Sequence, residues 1–266
     1  MPKPILLIPP SEGKAPGGDG PPWSDGARAF PQLDPARREV ISALRRAMRG
    51  DLSSAARLLG VGASAAAEAV SRNLVIDSAP TLPAIERYQG VLYDALDYGS
   101  LSEAHRRRVD EQVLIFSGLW GLVAPRDPIP DYKLKMGASL PPLGKLSTWW
   151  RPKLSPLLDD LVAGRVVWNL LPSEHAAAWR PGGSAKLIVR VRFLDEVKRG
   201  RSRELVTVSH WNKLLKGALI RHVIARQLID PEGLARFTHP EGYEYRPELT
   251  VERGGDVEVA LVARRS

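Results

Sequence analysis

Residues 113–140, VLIFSGLWGLVAPRDPIPDYKLKMGASL, decide how the rest of the chain is read. The segment opens as an apolar helix end and breaks at Ser117-Gly118. An aromatic turn follows at Leu119-Trp120-Gly121. Pro125, Pro128 and Pro130 then stiffen a loop, and a basic extended segment carries Tyr132, Lys133, Lys135, Met136 and Gly137. Proline presets φ and narrows the unfolded ensemble, while glycine permits positive φ and close backbone approach. A loop so built holds positions in space, and the segment reads as the centre of the molecule.

Upstream, Ser100-Leu101-Ser102-Glu103 matches a capping box, and the helix it starts turns Val109, Val113 and Phe116 inward. Arg106, Arg107 and Arg108 on that helix read as a solvated face. Ile5 to Ile8 reads as a buried strand and not as a signal peptide. It runs into PPSEGKAPGGDGPPW, where Ser11, Gly13 and Lys14 form a phosphate-friendly group that lacks the spacing of a Walker A loop. Asp34-Pro35 reads as N-cap and first helical residue. The helix carries Val40, Ile41 and Leu44 inward, with Arg37, Arg38, Arg45, Arg46 and Arg49 on its basic side.

Residues 51–70, DLSSAARLLGVGASAAAEAV, have the shape of a helix-hairpin-helix turn. Gly60 and Gly62 allow a tight turn whose N–H groups face a phosphate at the next helix N-terminus. A plain αα-hairpin with a glycine C-cap gives the same pattern. The hairpin forms an insertion at about 35–72. An amphipathic helix is expected over Thr81 to Leu96, with Gly90 interrupting it, and a short helix over Lys145 to Leu161. Strands are expected at 166–170, 187–194, 205–208 and 257–262, with EVKRGRSRE (196–204) as a basic hairpin loop. Asn212 to Ile229 reads as an amphipathic helix, and Asp230-Pro231 starts a short one. This order of elements, with no repeat and no internal linker, predicts one α/β (mixed α+β) domain over 1–266, a mixed twisted sheet flanked by helices.

The chain has 266 residues, no cysteine and a formal net charge of +8. Disulfides, thiolate nucleophiles and Cys-based metal sites are excluded. No apolar run reaches the length of a transmembrane helix, so no membrane partner is expected and the cytoplasm is the default location. The positive balance favours polyanions, nucleic acid first. An arginine excess is also what a GC-rich genome produces, so the charge alone does not decide.

The five histidines form no ligand-spaced cluster, so neither a metal nor a cofactor is expected. Polar residues gather in four groups. Ser11, Glu12 and Lys14 follow the first strand. Ser117, Arg126, Tyr132 and Lys133 lie in the opening segment. Asn169, Ser173, Glu174 and His175 follow the strand at 166–170. His210, Asn212, Lys213 and Lys216 follow the strand at 205–208. Open α/β sheets bind ligands beyond strand carboxyl ends, so these groups are expected to share a cleft. There, Lys213, Tyr132, Glu174 and Ser117 are the candidate catalytic residues. Lys14, Ser11, Arg126, Lys133, Asn169, Ser173, His210 and Lys216 are the candidate ligand- or phosphate-binding residues. Gly60, Gly62, Arg45 and Arg46 are the candidate DNA-backbone contacts. Taken singly, each is an ordinary surface polar group.

SGLWGLVAPRDPIPDYKLKMG (117–137) resembles the SGLYG…RP…PYRLEMG core of the YaaA-like peroxide stress proteins, also designated DUF328 or UPF0246. The blocks at 8–14, 88–93, 168–175, 211–217 and 237–245 are similar to further family segments in the same order. Lys216, Trp211, Asn212, His175 and Lys135 stand where the family has arginine, tyrosine, alanine, tyrosine and glutamate, which marks a divergent, actinobacterial-type member. The resemblance implies a cytosolic mixed α/β domain with a positively charged cleft and a helix-hairpin-helix element. It also implies DNA binding linked to protection from peroxide and iron-driven damage. It implies no particular reaction, and an enzyme acting on a small nucleobase-like or anionic ligand in the same cleft is the alternative.

Overall fold

The computed structural model describes residues 2–200, 202–208 and 212–265. At its centre β1 (Ile5–Ile8) lies buried along its whole length. So do β2 (Val113–Ser117) and β4 (Val166–Asn169). These runs do not alternate between apolar and polar because parallel strands are covered on both faces. β1 pairs in parallel with β2 on one side (Leu7 opposite Leu114) and with β4 on the other (Leu7 opposite Asn169). β5 (Leu187–Arg199) and β9 (Asp256–Arg264) extend the parallel set beyond β4. β3 (Gly121–Val123), β6 (Ser202–Thr207), β7 (Glu244–Tyr245) and β8 (Val251–Arg253) attach antiparallel, so the sheet is mixed as expected. Its order is β7-β9-β5-β4-β1-β2-β3, with β6 on β5 and β8 on β9. The two neighbours of β1 are reached in opposite directions, and such a reversal opens a crevice at the carboxyl ends of the strands.

The helices are α1 (Asp34–Met48), α2 (Leu52–Leu59), α3 (Ala63–Leu74), α4 (Val91–Leu96), α5 (Glu103–Gln112), α6 (Leu146–Val162) and α7 (Asn212–Arg226). α7 crosses α4 so closely that a Cβ at Gly217 would collide with Leu92, Ala95 and Leu96. The glycine of the 211–217 block is therefore a packing residue.

Several local expectations are corrected. Val113–Ser117 is a strand and not a helix end: α5 stops at Gln112, and the apolar run that follows joins β1. A short apolar run does not reveal its period. Ser102 does cap α5, accepting from the His105 N–H at 3.3 Å. The helix expected over 81–96 is divided: Ala84–Arg87 is one turn, Tyr88–Gln89 pairs with Gly13–Lys14, and α4 begins after Gly90. The basic loop at 196–204 is mostly ladder, because β5 runs on to Arg199 and β6 begins at Ser202. Asp34 is the first helical residue and caps nothing. Its carboxylate instead accepts from Arg28 Nε at 3.0 Å and from Arg37 Nη1 at 2.9 Å. Arg37 belongs to the interior and not to a basic face, donating to the carbonyls of Trp120 (3.1 Å) and Leu122 (2.7 Å).

Candidate functional site

The segment 113–140 wraps the carboxyl ends of β1, β2 and β4. A Cβ at Gly118 would sit 2.7 Å from the Lys135 carbonyl carbon, so only glycine lets the turn after β2 lie against Lys135-Met136. Trp150 Nε1 on α6 donates to the Gly118 carbonyl at 2.9 Å. From the other side Asn73, fully buried on α3, clamps Lys133: Nδ2 donates to its carbonyl (2.8 Å) and Oδ1 accepts from its N–H (2.9 Å). Arg87, also fully buried, donates to the carbonyls of Ile129 (3.1 Å) and Gly17 (2.7 Å), and so fixes the loop after Lys14.

This framework encloses a small cavity of about 60 Å³, lined by residues that include Lys14, Tyr132, Lys133, Lys135, Glu174 and His175. The Lys14 amine donates to the Ser11 carbonyl at 3.1 Å and lies over the Tyr132 ring, 4.2 Å from its centroid. Burial pushes this amine down to about 7; Asp131 opposes the shift and Lys133 adds to it. Burial alone would raise the Glu12 carboxyl, but hydrogen bonds from Lys133 and Lys135 hold it down at about 2. Its oxygens lie 2.9 Å and 3.1 Å from those two amines. The Tyr132 hydroxyl lies 2.7 Å from both the Ser117 and the Tyr88 hydroxyls. Burial raises the Tyr132 phenol to about 12, so it acts as a neutral hydroxyl. Burial pushes His175 down to about 4, with Glu174 opposing the shift and Lys216 adding to it. The Nδ1 of His175 is buried without a partner among the described residues. Lys216 is itself lowered to about 8 by burial and then by Lys213.

A larger groove of about 740 Å³ adjoins this cavity, and the two share Lys135 and Glu174. Its walls are α2 with its Gly60 cap, the end of α1 and the Gly137 to Pro141 loop, with Arg46 and Arg57 along it. Gly60 adopts φ 64°, a left-handed C-cap for α2. Gly62 starts α3 with no side chain capping its first N–H groups.

Three of the four groups thus line one cavity, through Ser11, Lys14, Tyr132, Lys133, Glu174 and His175, and Lys216 of the fourth bears on it through His175. Other candidates lie elsewhere or face away. The Ser117 hydroxyl is interior and accepts from the N–H groups of Leu119 (3.2 Å) and Trp120 (3.1 Å), shaping the turn. Ser11 does line the small cavity, with its hydroxyl donating to the Gln89 carbonyl. Asn169 is buried, its Oδ1 accepting from the Leu171 N–H at 3.1 Å. Ser173 is exposed and lines neither cavity, and Lys213 is exposed. Arg126 pairs with Glu86 at 2.9 Å on the surface. Arg45 is engaged by Asp77, whereas Arg46 lines the groove. His210 lies outside the described residues.

Asn73 and Arg87 escaped the sequence reading. Asn73 carried a usable signal, since it continues the spacing of the buried residues Ala66 and Ala69 on α3. A polar residue on an apolar face needs a dedicated partner.

The family profile of the peroxide stress protein YaaA matches residues 5–249. A UPF0246 protein of Streptomyces coelicolor is 38% identical over 254 residues, 94% of this chain and 95% of the relative. One of Corynebacterium glutamicum is 36% identical over 221 residues, covering 82% and 83%. A more distant one, from Cereibacter sphaeroides, is 29% identical over 228 residues, covering 82% and 86%. The motif order, the mixed sheet and these relatives agree: the chain belongs to the peroxide stress protein YaaA (UPF0246) family.

Proposed function

We propose that this protein binds DNA without reading its sequence, in the cytoplasm, and shields it during peroxide and iron-linked stress. The observation that supports this most is the 740 Å³ groove beside the glycine turn. Arg46, Arg57, Lys135 and Gly60 line it, and no side chain caps α3, which begins at Ala63. Cations and oriented amides of this kind suit backbone phosphates and carry no base information. A fluorescent duplex titrated at several salt concentrations tests it. The logarithm of affinity is expected to fall linearly with the logarithm of salt, as contacted phosphates release counterions. Affinity that does not respond between low and physiological salt contradicts the proposal.

A second role has its own support in the small cavity, where an enzyme would act on a small ligand. Lys14 has no carboxylate within ion-pair reach among the described residues, and the buried His175 Nδ1 has no partner. Perturbed groups in a cleft are what acid–base and nucleophilic chemistry needs. Lys216 lines neither cavity and bears on the small one through His175, whose proton affinity it lowers. Thermal unfolding in the presence of inorganic phosphate or formate tests this role. A stabilisation lost in Lys14→Ala and Lys216→Ala supports it, and no shift with either compound counts against it.

A further inference from the structure

The surroundings of Lys14 leave its amine unneutralised. The two acidic side chains that bear on it are engaged by other cations. Glu12 is held by Lys133 and Lys135, and Asp131 lies 3.3 Å from Arg72. The amine's own contacts are the Ser11 carbonyl and the faces of Tyr132 and Tyr88. Its lowered proton affinity leaves a substantial share of it as free amine near neutral pH. A buried lysine in that state is a nucleophile for carbonyl carbon. About 60 Å³ accommodates a few water-sized groups, enough for a carbonyl and too little for a nucleobase. The cavity shares Lys135 and Glu174 with the groove that suits a DNA backbone. A small carbon electrophile that DNA itself presents is the C1′ aldehyde of a deoxyribose that has lost its base.

We propose that Lys14 captures the ring-opened C1′ aldehyde of an abasic deoxyribose as an imine; this inference rests on the DNA-binding role of the groove. The lone pair of Nζ forms the N–C1′ bond, and the carbonyl π pair moves to oxygen, which takes a proton. The hydroxyl then leaves as water, the nitrogen releases its remaining proton, and C1′=N forms. Nothing is oxidised or reduced. His175 Nδ1, in the same cavity and otherwise unengaged, offers a hydrogen-bonding atom to the carbinolamine hydroxyl.

The full-length protein is incubated with a fluorescent duplex containing one abasic site, and sodium borohydride then delivers hydride to any imine carbon to give a stable secondary amine. A denaturing gel is expected to show a protein–DNA adduct that peptide mass mapping places on Lys14. Lys14→Met, which keeps an unbranched side chain and removes the nucleophile, is expected to reduce the adduct at least tenfold while its far-ultraviolet circular dichroism spectrum stays that of wild type. Lys153→Ala, at a lysine that lines neither cavity, is expected to leave the adduct unchanged. An adduct mapped to another lysine, or none despite measured duplex binding, overturns the inference. Absence of duplex binding overturns the DNA-binding role itself and this inference with it.

Discussion

The segment 113–140 and the α2–α3 hairpin meet at Lys133, Lys135 and Gly60, yet they are built in opposite ways. In the first, Ser117, Trp120, Tyr132 and Met136 are fully or almost fully buried, and Asn73, Arg37 and Arg87 hold its backbone carbonyls. In the second, only Ala55, Leu59, Ala66, Ala69 and Asn73 are buried, and the turn lies in solvent. The first is a rigid frame for a small cavity, and the second is an exposed edge beside a groove. Substitutions in the frame should therefore act on stability, and those on the hairpin surface should act on binding.

The largest effect is expected from Arg37→Ala. It removes the donors to Trp120 and Leu122 and one partner of Asp34, all buried or nearly so. Breaking a buried pair from one side costs about 3–5 kcal/mol. Urea unfolding measures this, and a loss under about 1 kcal/mol would mean that the frame does not depend on that anchor. Tyr132→Phe is next. It deprives the Ser117 and Tyr88 hydroxyls of a buried neighbour, an expected loss of about 1–3 kcal/mol by the same measurement.

The pH dependence of stability separates the cavity from both regions. The folded-state proton affinity of Lys14 is lowered from 10.5 to about 7, so between those values the unfolded chain binds more protons at this site. Stability from this group therefore increases as pH rises across that window, and it is lost as pH falls through about 7. Asp131 and Glu12 oppose the shift, Lys133 and Arg72 support it, and Tyr88, Tyr132, Glu174 and His175 also face this amine or its cavity. Denaturant midpoints for wild type and Lys14→Met across this range should diverge with that sign. Parallel curves would mean that the amine titrates normally.

Much of this organisation was legible in the sequence. The runs at 5–8 and 166–170 read as strands, the first of them buried, and the glycines at 60 and 62 marked a helical turn. Lys14, Tyr132, Glu174 and His175 were foreseeable together because chain leaving parallel strands collects at one end of the sheet. What stayed hidden depends on three-dimensional neighbours. Arg37 read as part of a basic face and Arg87 carried no signal at all, because nothing local reveals that several carbonyls converge on them. Ser117 read as a reactive hydroxyl, although the turn it shapes turns it inward. Arg126 follows the segment in sequence but lies where Glu86 draws it to the surface.

The contrast between frame and edge is tested most directly by the salt dependence of duplex binding in the double variant Arg46→Ala/Arg57→Ala. Both residues are exposed and line the groove, so melting should be unchanged within about 0.5 kcal/mol. Each lost phosphate contact should reduce the log–log salt slope by about 1, and the pair by about 2. A wild-type slope and affinity in the double variant would contradict the assignment of DNA binding to this groove.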